Sequence, residues 1–296
     1  MSAGAIRLGW HRTTTLLSWR WIFTILGGGT AAMVWVILTS AHGNPVDAWD
    51  FWVDPARPYA TEDIHHYLYS PAFAQAMAPL HLAGFDAFVA ALRAVELACA
   101  FFLAAPALIV ALFLPPVAAE INAANINLVI AAAIVLGFRW PVFWAFVLLT
   151  KPTMGIGLVW FAMRREWRAL GVVIVAVVAI AAVSFVINPP AWGDYLGTLA
   201  RANPTPGWPF PWPIWIRLVV ALPLVIWGAR SGRPWAVALA SMLAAPRLYF
   251  QSPVMLLGLV PLLPNSAYVR RLQARWKAAG PAHPGGASRP EPGLGT

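Results

Sequence analysis

The stretch RREWRALGVVIVAVVAIAAVSFVI, residues 164–187, decides the fold class. No charged residue follows Arg168 before the stretch ends at Ile187, and almost every side chain between them is apolar. A hydrocarbon core about 30 Å thick is crossed by a helix of roughly 20 such residues. The arginines at its start match the excess of Lys and Arg on the cytoplasmic side of membrane helices. The stretch therefore predicts a transmembrane helix that begins at the cytoplasmic face.

The rest of the chain has the same character. Of its 296 residues, 60% are hydrophobic and 10% are charged, with a mean hydropathy of +0.69, whereas soluble domains are about 25% charged. Apolar segments recur from Trp19 to Pro264, and no polar stretch between them is long enough for a separate domain. We therefore predict an all-α fold, a polytopic transmembrane helical bundle, as a single membrane domain over residues 1–278. The tail 279–296, rich in Pro and Gly, is predicted to be disordered and cytoplasmic.

The net charge of +9 comes from Lys and Arg in short clusters between the apolar segments. This arrangement is the positive-inside pattern of membrane proteins rather than a nucleic-acid-binding surface. Such clusters meet the anionic cytoplasmic leaflet favourably. We therefore predict membrane lipids as a partner and no nucleic acid, in a multi-pass protein of the bacterial inner membrane with both termini in the cytoplasm.

Charge alternation and span lengths predict about ten membrane segments, including short broken helices. The first is a helix over residues 19–41, and a later one crosses outward over residues 86–114. Residues 188–211, dense in Pro, Gly and Trp, are predicted to form an external loop.

A break at Lys151 and Pro152 is predicted inside the apolar stretch that follows Arg139. One straight helix there would place Arg139 and the Arg164 cluster on opposite sides of the membrane, against the positive-inside pattern. A proline also interrupts a helix interior. Two short helices that meet at Lys151 bring both basic ends to one side. Broken helices in membranes line cavities, so the break also indicates a site.

Candidate functional residues lie in the external loop 42–69, near the head of a later helix and at this break. The loop combines carboxylates with aromatic side chains, Glu120, Asn125 and Asn127 follow later, and Lys151 is an intramembrane cation of a kind that usually faces a cavity or a partner. Each feature also has an ordinary structural explanation, since loop carboxylates are solvated and aromatic residues anchor helices at the interface. The adjacent His65 and His66 have a poor spacing for metal ligands, so no metal is predicted.

Five short motifs are spread over about residues 19–264. In chain order they are Asp47 with Phe51 and Trp52; Tyr67, Tyr69 and Pro71; Ala124, Asn125, Ile126 and Asn127; Lys151 and Pro152 before RREWRA; and Pro246, Arg247 and Leu248. Together they resemble the glycosyltransferase C superfamily, and most of all its bacterial family 87 of polyprenol-phosphate-mannose-dependent mannosyltransferases. Departures occur at Ala124 and Asn125, where the family has Gly and Gln, and at Gln251 and Ser252, where it often has a Tyr-Asp pair.

The resemblance implies an inverting transfer of a sugar, mannose in that family, from a polyprenyl-phosphate donor to a hydroxyl of a lipid or glycan acceptor on the external face. Such a reaction needs a carboxylate base and cations at the departing phosphate. No cofactor is implied. The residues assigned on this basis are Asp47 as the catalytic base with Asp50 in reserve, Lys151 and Arg247 at the phosphate, and Tyr67, Tyr69, Glu120, Asn125 and Asn127 as further substrate-binding candidates.

Two other classes of function also fit the sequence. A transporter or flippase of a lipid-linked or small polar substrate would also place polar residues and broken helices in a membrane cavity. Against it, no pair of corresponding broken segments occurs in the two halves of the chain. A noncatalytic relative acting as a scaffold is the third interpretation, and it is favoured by the positions that depart from the family pattern.

Overall fold

The structure is a computed structural model, and it describes residues 45–59, 67–105, 107–201 and 212–278. The described part is all-helical and has no β-strand, which confirms the predicted fold class. The predicted first helix, residues 19–41, and the predicted disordered tail, residues 279–296, lie outside the described residues. The α-helices are α1 (Val46–Phe51), α2 (Pro71–His81), α3 (Phe85–Ala104), α4 (Leu108–Leu112), α5 (Pro115–Ala123), α6 (Asn127–Gly137), α7 (Trp144–Thr150), α8 (Val159–Met163), α9 (Trp167–Ile187), α10 (Pro189–Arg201), α11 (Ile214–Ser231), α12 (Trp235–Leu243), α13 (Leu259–Leu262) and α14 (Ala267–Ala278), with 3-10 turns at Pro141–Phe143, Pro152–Leu158 and Ser252–Gly258.

Three of the described helices, α3, α9 and α11, are long and apolar enough to cross a membrane. The number rises to five if each of two sharply bent helix pairs forms one span. The predicted count of about ten segments is not confirmed, because other apolar helices, such as Pro141–Thr150, are shorter than a full crossing. Helix α9 is the most exposed of the three, with Val175 68% and Val186 79% accessible, as expected for side chains that face lipid.

Helix α6 forms the centre of the bundle. It is apolar on every side, and Leu128, Ile130, Ile134 and Val135 are all fully buried, which is the pattern of a core helix rather than a surface helix. It packs against α3, α7 and the 3-10 turn Ser252–Gly258. Its first residue, Asn127, is therefore a polar side chain held inside the protein.

The predicted break at Lys151 is confirmed. Helix α7 ends at Thr150, Lys151 has extended backbone angles (φ −133°, ψ 80°), and a 3-10 turn starts at Pro152. The two halves form a hairpin, since the ring of Phe138 lies 5.3 Å from that of Trp160. Arg139 and Arg164, which follow these aromatic residues closely, are thus at the same end of the bundle, as the charge pattern predicted.

Trp144 fills the space inside this hairpin. It is fully buried, and a Cβ atom on Gly157 would clash with its ring and would lie 2.8 Å from Val237 Cγ1. A Cβ atom on Gly137 would also meet this ring, 2.6 Å from Trp144 Cδ1. The two glycines therefore let a large aromatic ring bring α6, the hairpin and α12 into close contact.

Two sequence predictions of local structure are wrong. Residues 188–211 were expected to form a loop, but Pro189–Arg201 is helix α10. Prolines are tolerated in a first helical turn, where no backbone donor is needed, and the Asn188 side chain accepts a bond from the Ala191 backbone N–H (3.4 Å). Ala191 and Tyr195, one turn apart, then pack inward.

The expected continuous crossing over residues 86–114 is also divided. Helix α3 ends at Ala104 and α4 begins at Leu108. The sequence has a proline at position 106, between the two helices, and a proline in a helix interior removes a hydrogen bond and clashes with the preceding turn.

Candidate active site

Asn127 connects three elements at the buried head of α6. Its backbone N–H donates to Glu120 Oε1 (2.6 Å), and its side-chain amide donates to Glu120 Oε2 (3.0 Å). Its side-chain oxygen Oδ1 accepts a hydrogen bond from Lys151 Nζ (2.7 Å). A carboxylate at a helix N-terminus also meets the positive end of the helix dipole. Glu120 from α5, Asn127 from α6 and Lys151 from the hairpin break thus form one bonded chain.

A sharp bend between α5 and α6 makes this chain possible. The axes of the two helices differ by 106°, and Ala124 at the turn has a left-handed conformation with φ 52°. A non-glycine residue pays a conformational cost there. The Asn125 backbone N–H bonds to the Glu120 carbonyl (3.3 Å), and the Asn125 side chain accepts from the Ile126 N–H (2.7 Å). The bend turns the Glu120 side chain back over the first residue of α6.

Asp47 lies on the short helix α1 and faces the same chain. Its Oδ2 accepts a hydrogen bond from Gln251 Nε2 (3.4 Å). Burial raises the pKa of Asp47 to about 6, the positive charge of Lys151 acts in the opposite direction, and the negative charge of Asp50 raises it further. Gln251 and Asn125 also lower the pKa by hydrogen bonding. We call Asp47, Glu120, Asn125, Asn127, Lys151 and Gln251 together the polar cluster.

Tyrosines line one side of the polar cluster. The Tyr67 hydroxyl donates to the Ser70 carbonyl (2.9 Å), and the Tyr67 and Tyr69 ring centroids lie 5.6 Å apart. Burial raises the pKa of Tyr69 well above its usual value, with further contributions from Asp47 and Asp50. The Ser70 backbone N–H donates to the Leu149 carbonyl (3.3 Å), next to the hairpin break. Of these two tyrosines, Tyr69 is therefore the one on which the charges of the α1 carboxylates act.

Arg247 lies at the margin. It follows α12, is partly exposed, and its Nη1 lies 3.5 Å from the Tyr249 hydroxyl. Tyr249, two residues after Arg247, also makes a small contribution to the raised pKa of Tyr69, after burial and the nearby carboxylates. The structure thus brings together Asp47, Asn125, Asn127, Glu120, Lys151 and Tyr69 of the predicted residues. Asp50 lies beside Asp47, and Tyr67 and Arg247 lie at the edge.

Gln251 is a member of the polar cluster that the sequence did not indicate. It was noted only as a departure from the family pattern, yet its amide contacts a carboxylate 204 positions earlier in the chain. Its place four residues after Arg247 is the one signal that could have indicated it. Among the described residues, no three His, Cys, Asp or Glu side chains are grouped as metal ligands.

The polar cluster combines a proton acceptor and a cation at one place. A carboxylate with a pKa near neutrality can remove a proton from a hydroxyl in its ionised form. A fixed ammonium group can stabilise negative charge that develops nearby. The hydrogen bond to Asn127, which is itself held by Glu120, fixes the position of the Lys151 ammonium group. Such a pair is suited to group transfer from an anionic leaving group.

The fold and the polar cluster define an all-helical membrane protein with paired acidic and basic side chains at one end of its bundle. The family model for glycosyltransferase family 87 matches residues 67–272, more than half of the chain, and the chain belongs to this family. It is therefore a membrane glycosyltransferase. The matched region includes every member of the polar cluster except Asp47, which precedes it. No curated protein and no solved structure matches the chain significantly.

Proposed function

We propose that the protein transfers a sugar, mannose, from a polyprenyl-phosphate donor to a hydroxyl of a lipid or glycan acceptor at the external membrane face, with inversion at the sugar carbon. The observation that carries this proposal is a lysine at a helix break inside an apolar bundle, hydrogen-bonded to Asn127 and near enough for its charge to act on the Asp47 carboxylate. A donor with a lipid-linked phosphate can reach a cation inside the bundle from the bilayer. A water-soluble donor does not require a phosphate-binding cation placed within the membrane.

In the proposed reaction, ionised Asp47 removes the proton from the acceptor hydroxyl. The acceptor oxygen forms a bond to the anomeric carbon from the side opposite the phosphate. The bond between that carbon and the phosphate oxygen breaks, and its electron pair leaves with polyprenyl phosphate. Lys151 stabilises the charge on this departing oxygen, and Arg247 binds the phosphate from the margin. Asp50 is the reserve base.

Glu120 and Asn127 are assigned a positioning role for Lys151. The two oxygens of Glu120 are both engaged by Asn127, whose own carbonyl oxygen holds the lysine. A negative carboxylate two bonds away also favours the charged form of the lysine. Asn125 and Tyr69 contribute to binding beside Asp47. The Tyr67 hydroxyl is already bonded to the Ser70 carbonyl, so we assign Tyr67 contact through its ring.

Asp47→Asn in membranes, with Asp50→Asn as the matched control, tests the proposal. Transfer from radiolabelled polyprenyl-phosphate mannose should fall by about 100-fold to 10,000-fold in Asp47→Asn, since this is the usual contribution of a positioned base. Asp50→Asn should retain most activity. Both variants should insert into membranes as the unchanged protein does.

Four outcomes would contradict the proposal in different ways. Full activity of Asp47→Asn would remove Asp47 as the base. Preference for another polyprenyl-phosphate sugar would correct the sugar alone, and use of a nucleotide sugar would remove the lipid-linked donor. Movement of the labelled donor across the membrane without any transfer would favour the transporter interpretation.

A further inference from the structure

Arg217 is a buried arginine whose hydrogen-bond acceptors are all backbone carbonyls. It lies in the first turn of α11 and is 4% exposed. Its Nη1 donates to the carbonyls of Leu243 and Ala245 (2.7 Å each). Its Nη2 donates to that of Pro246 (3.1 Å), and its Nε to that of Trp212 (3.1 Å). One guanidinium group therefore fixes the last carbonyl of α12 and two carbonyls of the segment that follows it.

Such an arrangement is expensive and needs an explanation. A charged side chain inside a membrane bundle is costly and is retained where it has a partner or a role. The last carbonyls of a helix carry partial negative charge and have no partner within the helix. Capping the end of α12 explains the contact with Leu243. It does not explain why the same group also holds Ala245 and Pro246, which lie beyond the helix.

The segment that Arg217 holds leads directly to the polar cluster. Arg247 is the next residue after Pro246, and Gln251, which contacts Asp47, follows four residues later. The far end of the segment is fixed as well, because the Tyr249 backbone N–H donates to Ser252 Oγ (2.8 Å). Between these two anchors the chain places a cation and an amide at the site.

We propose that Arg217 is a positioning residue for the donor phosphate: by fixing three carbonyls at and just after the end of α12 it sets where Arg247 and Gln251 lie relative to Asp47. The inference rests on the proposed function, because it assigns phosphate binding to Arg247. Lysine cannot replace arginine here, since a single ammonium group lacks the planar fork that reaches several acceptors at once.

The first test compares Arg217→Lys with the unchanged protein in a transfer assay that varies the donor and the acceptor separately. The KM for the polyprenyl-phosphate sugar should rise about tenfold or more, with a smaller change in kcat and an unchanged KM for the acceptor, the pattern of lost ground-state binding. Ser241→Ala is the control, because buried Ser241 on α12 donates to the Met154 carbonyl in the turn Pro152–Leu158 (3.1 Å) and not to the carbonyls that Arg217 holds. It should leave the donor KM unchanged at a similar loss of thermal stability.

A donor KM equal to that of the unchanged protein in Arg217→Lys, or an equal rise in Ser241→Ala, would overturn the inference and leave Arg217 as a helix cap. Failure of the unchanged protein to use any polyprenyl-phosphate sugar would instead refute the proposed function. The two failures are therefore separated by which protein shows them.

A second measurement does not depend on catalysis, so it can be made even if only a fraction of the variant folds. Spin labels at residues 46 and 249, both partly exposed, would report the distance between α1 and the segment in a Cys99→Ser background. In the folded fraction of Arg217→Lys this distance distribution should broaden or shift. A control pair at Val142 and Met163, both also accessible, should not change. An unaltered distance between residues 46 and 249 would overturn the inference.

Discussion

The hairpin has a turn at Lys151 and an open end at Arg164, and the charged side chains at these two places have different kinds of partner. In the polar cluster, Lys151 is bonded to Asn127, and Asn127 to Glu120, by side-chain contacts across three elements. At the other end, Arg164 pairs with Glu166 two residues away (2.8 Å), with the side chains 27% and 24% exposed. Arg164 also lies over the rings of Trp160 and Trp276. We call Arg139, Arg164, Trp160 and Trp276 the basic end.

This difference separates charged side chains that anchor the protein from those that we propose take part in the reaction. Accessible ion pairs and cations over aromatic rings contribute little stability and suit a membrane surface. A lysine held by buried partners inside an apolar bundle carries a desolvation cost that anchoring does not require. Five predictions test this contrast, beginning with the variant that should lose the most activity.

Lys151→Met should reduce transfer by about 100-fold to 1,000-fold, because a fixed positive charge that stabilises a leaving group contributes this much. The measurement is kcat/KM with a polyprenyl-phosphate donor in membranes. Arg139→Met at the basic end is the matched control, since it removes a cation that lies over Trp140 (4.3 Å). Equal losses in both variants would show that the contrast between the two ends is not functional.

Asn127→Leu should both destabilise the fold and reduce transfer. It removes the side-chain donor to the buried Glu120 carboxylate, which keeps only the backbone N–H of residue 127, and it removes the acceptor of Lys151. The expected cost is about 3 kcal/mol or more in the free energy of unfolding. Thermal unfolding in detergent measures this. A combined Glu120→Leu and Asn127→Leu variant should recover part of the stability, because no underbonded carboxylate remains, but it should not recover activity. Recovery of transfer would mean that Lys151 does not need these partners.

Transfer should depend on pH with a midpoint close to the raised pKa of Asp47, about 6. Below that value the carboxyl is protonated and cannot act as base, so the rate falls about tenfold per pH unit. Asp50 raises the pKa of Asp47 by its negative charge, so Asp50→Asn should move the midpoint to lower pH. A pH profile that Asp50→Asn leaves unmoved would argue against Asp47 as the titrating base.

The same shift predicts a small effect on stability. The folded carboxyl has a pKa of about 6, against 3.8 as its ordinary value, so between these values the folded state binds more protons than the unfolded state. Stability contributed by this group therefore falls as the pH rises from about 4 to 6. Asp47→Asn should consequently unfold at a slightly higher temperature than the unchanged protein at pH 7, and at a similar one at pH 4.

The sequence predicted the features that depend on local composition. The break at Lys151 followed from Pro152 and the placement of arginines, and the all-helical membrane fold followed from hydropathy. The bend at Ala124 could not be predicted, because alanine favours helices and its left-handed conformation depends on the side-chain hydrogen bonds between Glu120 and Asn127 on either side of it. Gln251 was missed for a related reason, since its partner Asp47 is far away in the chain.

The smallest expected effect is that of Arg164→Ala at the basic end. The variant loses a partly exposed ion pair, a long hydrogen bond to the Ala229 carbonyl (3.4 Å) and two contacts with aromatic rings. Together these contribute about 1 to 2 kcal/mol to the free energy of unfolding. Transfer should stay within about twofold of the unchanged protein, because these charges are not coupled to a reaction at the opposite end of the hairpin. The measurement is kcat/KM beside thermal unfolding, with Lys151→Met in the same assay. A large loss of transfer without loss of stability would mean that the basic end acts on the reaction, and the separation of anchoring from chemical charge would fail.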